Sequence, residues 1–439
     1  MRLPSLFIAF SLLASAASYD SVLIHNVDVY PVTSPMIHNT SVLVIDGKIA
    51  AIGAGASGKG GIKVVDGKGL RLYPGLIDSG TELGLSEVSS ERMTVDTGEL
   101  GDFMPQLRAL IAVNVESEHL PVVRVNGMTS VIAIPAGGGR GGRGGGSAQL
   151  ISGQAALMHL SGWTWEDMEI NRSAAMYLTF PSIAGRGGRG PQSDDDISVA
   201  APPVSFTELK RQYDAQIQKL NDFFDAARQY QKERAANAPG FKKDLKMEAM
   251  IPVLEGKMPV AITAMRERSI RDAIAFSEKQ HIRMVLLQPH DVMKFAPELK
   301  AKNIPVILGR TEALGDSEDS PYDQVENIPA ALYNAGVKFA FATFNNEFAR
   351  NLPFNAGRAA SYGLPKEEAL KAITINPAEI WGASDKIGSL EKGKYADMII
   401  TNGDPMEIAT QIKYLFIKGK DIDLSTKQTR LYEKYLARP

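Results

Sequence analysis

The chain contains no cysteine, which excludes disulfides, a thiolate nucleophile and cysteine-ligated zinc. Histidine is scarce, with six in 439 residues, so an imidazole-built metal site has few positions to draw on. No stretch beyond the N-terminus approaches the ~18 consecutive apolar residues of a membrane-spanning helix. An excess of one charge is missing too: the formal net charge of −2 gives no global attraction to nucleic acid or to an anionic membrane. What remains is 44% hydrophobic and 22% charged, an ordinary globular composition. The length suits one barrel of roughly 250 to 300 residues with a smaller domain beside it.

The N-terminus carries Arg2, an apolar run from Leu3 to Leu13, and Ala14-Ser15-Ala16. A short basic region, an apolar core too short to span a bilayer and an Ala-x-Ala site predict a secretory signal peptide over 1–16. The mature chain is therefore expected to be exported, periplasmic or extracellular, with no membrane segment. Residues 17–73 alternate apolar and polar positions in short strands, with Asp46-Gly47 as a tight-turn signal. Residues 385–425 show the same texture, with Lys394 and Asp397 read as turn and solvated surface positions, and 426–439 read as a tail. Between them, over 74–384, short apolar strands such as Gly127–Pro135, Pro259–Ala264, Arg283–Leu287, Ile304–Leu308 and Val337–Ala342 are separated by amphipathic helical patterns, as a parallel (β/α)8 barrel requires. An inserted helix is expected over 205–236, opened by Ser205 with Glu208 three residues on.

The stretch from Tyr73 to Leu85 begins as a Pro-Gly loop, continues as a buried apolar strand and ends in small polar residues. A barrel strand reads this way where its C-terminal end opens into a pocket, so chemistry is expected just past Asp78. The stretch resembles the first barrel strand of the amidohydrolase superfamily, in its imidazolonepropionase-like branch and exported members. Gly388–Asp397, reading Gly-Ser-Leu-Glu-x-Gly-Lys-x-Ala-Asp, carries the same resemblance, which runs from about Ser21 to Gly419. The resemblance implies a TIM-like α/β barrel beside a small β-sandwich formed from the N- and C-terminal segments. It also implies a zinc held by His-x-His after the first strand, a His on the fifth, often one on the sixth, and an Asp after the eighth. The matching positions here are Gly80, Glu82, Thr263, Gln288 and Phe344. Four of these five cannot ligate a divalent ion as the family residue does, so no metal site and no cofactor are expected.

Of the histidines, His25 and His38 fall in the terminal strands, His119 and His159 in or beside expected helices, and His281 on a Lys-Gln-His segment. These five read as packing or solvated groups. His290 follows the sixth strand at the catalytic end and, with Glu82, forms the candidate catalytic pair. Two donors fall short of the three protein ligands that catalytic zinc generally has. Asp78, Glu87, Arg140 and Arg143 complete the expected pocket loops. Glu87 belongs to an acidic run with Glu91, Asp96, Glu99 and Asp102, read either as a solvated loop or as a source of the carboxylate pair that glycoside hydrolysis needs. The two Arg-Gly runs, around Arg140 and Arg143 and again at Arg186 and Arg189, lack interleaved aromatics and lie near Asp194-Asp195-Asp196. That pattern argues against nucleic acid and for a cover over the barrel mouth.

The resemblance implies hydrolysis of a carbon–nitrogen bond in a cyclic amide or peptide-like substrate. Two other readings stay open: a barrel without catalysis that binds a ligand or an active paralogue, and a carboxylate-based glycosidase. The expected partners are a small-molecule or peptide-like ligand and a second subunit, as a homodimer or as a heterodimer with a paralogue.

Overall fold

The computed structural model describes residues 21–57, 62–135, 149–183, 204–237, 239–312 and 321–438. The expected leader at 1–16 and the loop residues Arg140 and Arg143 lie outside the described residues. The chain opens with β1 (Val22–Val29), β2 (Ile37–Ile45), β3 (Lys48–Ile52), β4 (Lys63–Asp66) and β5 (Arg71–Pro74). The barrel half that follows holds β6 (Leu76–Thr81), α1 (His119–Arg124), β7 (Met128–Ala133), β8 (Ile151–His159), α2 (Trp165–Met168) and β9 (Glu169–Thr179). Next come α3 (Phe206–Ala235), α4 (Leu245–Leu254), β10 (Val260–Thr263), α5 (Glu267–Lys279), β11 (Met284–Leu287) and α6 (Ala296–Ala301). The barrel ends with β12 (Val306–Leu308), α7 (Gln324–Ala335), β13 (Phe339–Phe341), α8 (Leu352–Ser361), α9 (Lys366–Lys371) and α10 (Ile375–Ile380). Last are β14 (Met398–Thr401), β15 (Ile412–Ile417), β16 (Lys420–Asp421) and α11 (Lys427–Leu436).

Both ends of the chain build one sheet, in the order β16-β15-β14-β5-β1-β2-β3, with β4 beside β1. The joint is β14 against β5, antiparallel, from Met398 opposite Pro74 to Thr401 opposite Arg71. The β2–β3 hairpin turns on Asp46 and Gly47 at φ of 49° and 74°, the pair of left-handed positions that a two-residue turn between twisted strands requires. The sheet curls around a separate core that includes Ile24, Val44, Leu72, Met398 and Phe416.

The second sheet runs β6-β7-β8-β9-β10-β11-β12-β13 and is a nearly closed barrel. Its ends meet where Phe344 N–H, just past β13, donates to the Gly80 carbonyl of β6 at 2.9 Å. One strand departs from the expected pattern: β8 runs antiparallel to both β7 and β9. Between β8 and β9 the chain has only the four-residue α2, too short a connection for the crossover that returns a strand in parallel, so the chain doubles back. Buried positions of α5 at Ile270, Ala273, Ile274 and Ser277 follow the i, i+3, i+4, i+7 spacing that seats a helix on a sheet. The expected insertion is α3, with the Ser205 hydroxyl accepting from Glu208 N–H at 3.2 Å. It lies against α5 through Phe224 and Phe276, edge to face at 5.2 Å. At the other end of the barrel α10 contributes Ile375 and Ile380, and with Trp381 these pack on Ala261, Val285 and Ile307 of the interior.

His159, Lys394 and Asp397 correct the sequence reading. His159 lies in a strand, not beside a helix, and is fully buried. Its Nε2 meets Asp397 Oδ2 at 2.9 Å, while Asp397 Oδ1 accepts from Lys418 N–H at 2.8 Å. Lys394 is buried with its ammonium on the Ser389 hydroxyl. Residues far apart in sequence thus clamp the reversed strand to the terminal sheet, where solvated turn positions were expected.

Candidate functional site

The C-terminal ends of the barrel strands collect the residues singled out from the sequence. Asp78, fully buried, is held by β6: its Oδ1 accepts from the N–H groups of Gly80 and Thr343, each at 3.1 Å, and its Oδ2 from the Thr343 hydroxyl at 2.5 Å. Burial pushes its pKa up to about 7, against these three hydrogen bonds, which favour the charged form. Asp78 thereby ties the first barrel strand to the segment after the last, and its lone pairs face those donors.

Two residues on, Gly80 faces the ring of Phe344. A Cβ added at Gly80 would come to 3.1 Å from Phe344 Cε1 and 3.5 Å from the Ala342 Cβ, closer to the ring than ordinary packing allows. Phe344 sits at φ of 49°, a left-handed conformation rare for a bulky residue, and its amide bonds the Gly80 carbonyl. The backbone therefore turns the ring back over β6. Thr81 completes this corner, its hydroxyl donating to the Asn345 carbonyl at 2.7 Å.

Thr263, at the end of β10, shares a hydrogen bond of 3.0 Å with the Tyr177 hydroxyl. Tyr177 is buried, which raises its pKa, and the Glu82 carboxylate raises it further while the Thr263 bond acts the other way. Glu82 itself is half-buried just past β6. Gln288 sits at φ of 51° with its amide on the Ile307 carbonyl at 3.0 Å. His290 is exposed, its amide bonded to the Met265 carbonyl at 2.8 Å. Glu87 is used in the loop framework: its carboxylate accepts from Asn114 Nδ2 at 3.2 Å, and its carbonyl lies 3.0 Å from His119 Nε2.

An ion at this mouth requires imidazoles or carboxylates converging above Gly80. The Phe344 ring fills that direction, and among the described residues no group of three or more His, Asp or Glu is gathered so as to hold a metal. Gly80, Thr263, Gln288 and Phe344 thus differ from the residue types in the ligand set that the resemblance implies. The structure brings together Gly80 with Phe344, Asp78 with Thr343, and Thr263 with Tyr177 near Glu82. Tyr177 and Thr343 went unnoticed in the sequence. Tyr177 lies in β9, which is not among the strands read from the sequence, and only the polar Thr179 two residues on hints at a change of character at the strand's end.

Comparison with known proteins gives the following. Residues 273–422 match the model of the Amidohydrolase family. An amidohydrolase of Hapsidospora irregularis, tasK, is 23% identical over 381 residues, 81% of this chain and 37% of that protein. The imidazolonepropionase of Sphingopyxis alaskensis is 37% identical over 90 residues, 19% of this chain and 22% of the relative. The matches thus span little more than a third of the first relative and about a fifth of the second. Among solved structures, an amidohydrolase from Thermotoga maritima superposes with a TM-score of 0.75 at 24% identity, covering 92% of this chain and 99% of that one. That likeness establishes the fold.

Proposed function

The chain carries an amidohydrolase-family domain, and from this premise we propose that its barrel binds a small amide- or peptide-like ligand at the mouth without carrying out metal-dependent hydrolysis. The observation that supports this is the seating of Phe344 on Gly80, which puts an aromatic ring where the family's first imidazole projects. Asp78 is engaged by Thr343, and Thr263 by Tyr177.

Hydrolysis through a bound cation needs converging ligands, because the ion must be held rigidly to lower the pKa of its water. A recognition site instead needs apolar surface with a few placed polar groups, and the ends of the barrel strands supply both kinds, Phe344 after β13 and Glu82, Gln288 and His290 after β6 and β11. The amide or peptide-like class of ligand is taken from the family. The glycosidase reading loses support from Glu87, whose carboxylate is bound to Asn114 in the loop framework.

Two measurements on purified full-length protein test the proposal. Elemental analysis should find well under one zinc per chain, and turnover of N-acyl amino acids, dipeptides and cyclic imides should stay at background with zinc added. About one zinc per chain together with chelator-sensitive turnover overturns it.

A further inference from the structure

We propose a second binding site, for a phosphate-bearing small molecule with an apolar body, at the opposite end of the barrel from the mouth. A cavity of about 1010 Å³ opens there, bounded by the residues that lead into β10, β11, β12 and β13 and by the C-terminal end of α10. Its volume is at the upper end of what drug-sized ligands occupy, ~300–1,000 Å³. The wall is cationic: Arg283, Lys300, Lys302 and Lys338 line it against two carboxylates, Glu278 and Glu379.

Those carboxylates are already taken, Glu278 by Lys302 and Glu379 by Lys338. Arg283 and Lys300 make no ion pair among the described residues. Arg283 spends one donor on the Gly256 carbonyl at 3.1 Å, leaving the rest of a planar five-donor fork. Lys300 is exposed, and its ammonium lies over Gly336, where an added Cβ would come within 2.8 Å of it. The αL glycine that caps α7 thus leaves the space the ammonium occupies. His281, itself at φ of 48°, adds a ring nitrogen on the same wall.

Two uncompensated cations and an imidazole, supplied by the loop before β11 and the end of α6, suit a dianionic phosphate better than a single carboxylate. The floor is apolar, with Ile304, Val337 and Ile380 buried beneath the charged rim, so the ligand should carry an apolar group next to its phosphate. Nothing in this assignment uses the mouth residues, and either proposal can fail without the other.

Calorimetric titration of the full chain with phenyl phosphate, inorganic phosphate and phenol tests the site. Phenyl phosphate should bind once per chain, about tenfold tighter than inorganic phosphate, with phenol silent, and should weaken as salt rises. Lys300→Glu, a surface change that leaves folding intact, and Arg283→Gln should each weaken phenyl phosphate about tenfold or more, whereas Glu82→Gln should leave it unchanged. The proposal is overturned if phenyl phosphate gives no heat, if Lys300→Glu binds like the parent, if inorganic phosphate binds equally well, or if Glu82→Gln abolishes binding.

Discussion

A double-mutant cycle on Gly80 and Phe344 probes the arrangement on which the functional reading depends. A Cβ at position 80 would lie 3.1 Å from Phe344 Cε1 and 3.5 Å from the Ala342 Cβ, so the side chain of Gly80→His enters only by displacing the ring. Overpacking of this kind costs ~1–3 kcal/mol. Phe344→Ala removes a half-buried ring at a site that water can refill, which puts its cost near 2 kcal/mol, below the ~3–5 of a fully enclosed aromatic. In the double variant the imidazole occupies the space the ring vacated, so the combined loss should fall short of the sum by ~1–2 kcal/mol. Guanidinium unfolding, followed by far-ultraviolet circular dichroism and by tryptophan fluorescence, supplies the four stabilities, provided the two signals change together. Additivity within ~0.5 kcal/mol refutes the claim that the ring covers Gly80.

Asp78→Asn tests the buried carboxyl. Its pKa in the fold is raised from 3.8 to about 7, so the neutral form is the one the fold prefers. Its contribution is fully present below the unfolded value and is lost as pH rises through the folded value, making the parent lose stability relative to Asp78→Asn between pH ~4 and ~7, by at most about 4 kcal/mol. A stability difference that stays flat across that window refutes the assignment. Asp397→Ala leaves the buried His159 Nε2 without its carboxylate partner and removes the bond from the Lys418 amide, so a loss of ~3 kcal/mol or more is expected in thermal or chemical unfolding. A loss under ~1 kcal/mol shows that the clamp between β8 and the terminal sheet does not hold. Phe224→Ala strips the fully buried anchor of α3 and should cost ~3–5 kcal/mol, with helix loss visible by circular dichroism.

Much of the fold was legible because its signals are local. The Asp46-Gly47 hairpin, the Ser205 cap and the apolar strands before Thr263, Gln288 and Phe344 each rest on a few neighbouring residues. The reversal of β8 was not, since an inward strand and a buried helix share the same apolar character and only the short link through α2 distinguishes them. His159 and Asp397 were misjudged for a related reason: a polar residue reads as solvated until the partner 238 positions away is known. At the mouth, the identities at positions 80, 263, 288 and 344 were visible, but not that the ring at 344 turns onto Gly80. That turn depends on a positive φ, which sequence does not show for a phenylalanine.

Two positions that the sequence resemblance sets against ligand positions, Gln288 and Phe344, both occupy left-handed conformations, at φ of 51° and 49°. Non-glycine residues there carry a cost on the order of 1 kcal/mol, and such strain persists where the surroundings impose it, most often at functional sites. The strand ends of a barrel are where side chains serve chemistry rather than stability, so ligands can be exchanged there while the local bends remain. Gln288→Asn separates the bend from the side chain: asparagine tolerates the left-handed region, and the amide bond to the Ile307 carbonyl is retained. It should raise stability by ~0.5–1 kcal/mol in guanidinium unfolding, since Gln288 makes no side-chain hydrogen bond among the described residues. A destabilisation of that size or larger shows that the Gln288 side chain is held in place, and that position 288 acts through its side chain rather than its bend.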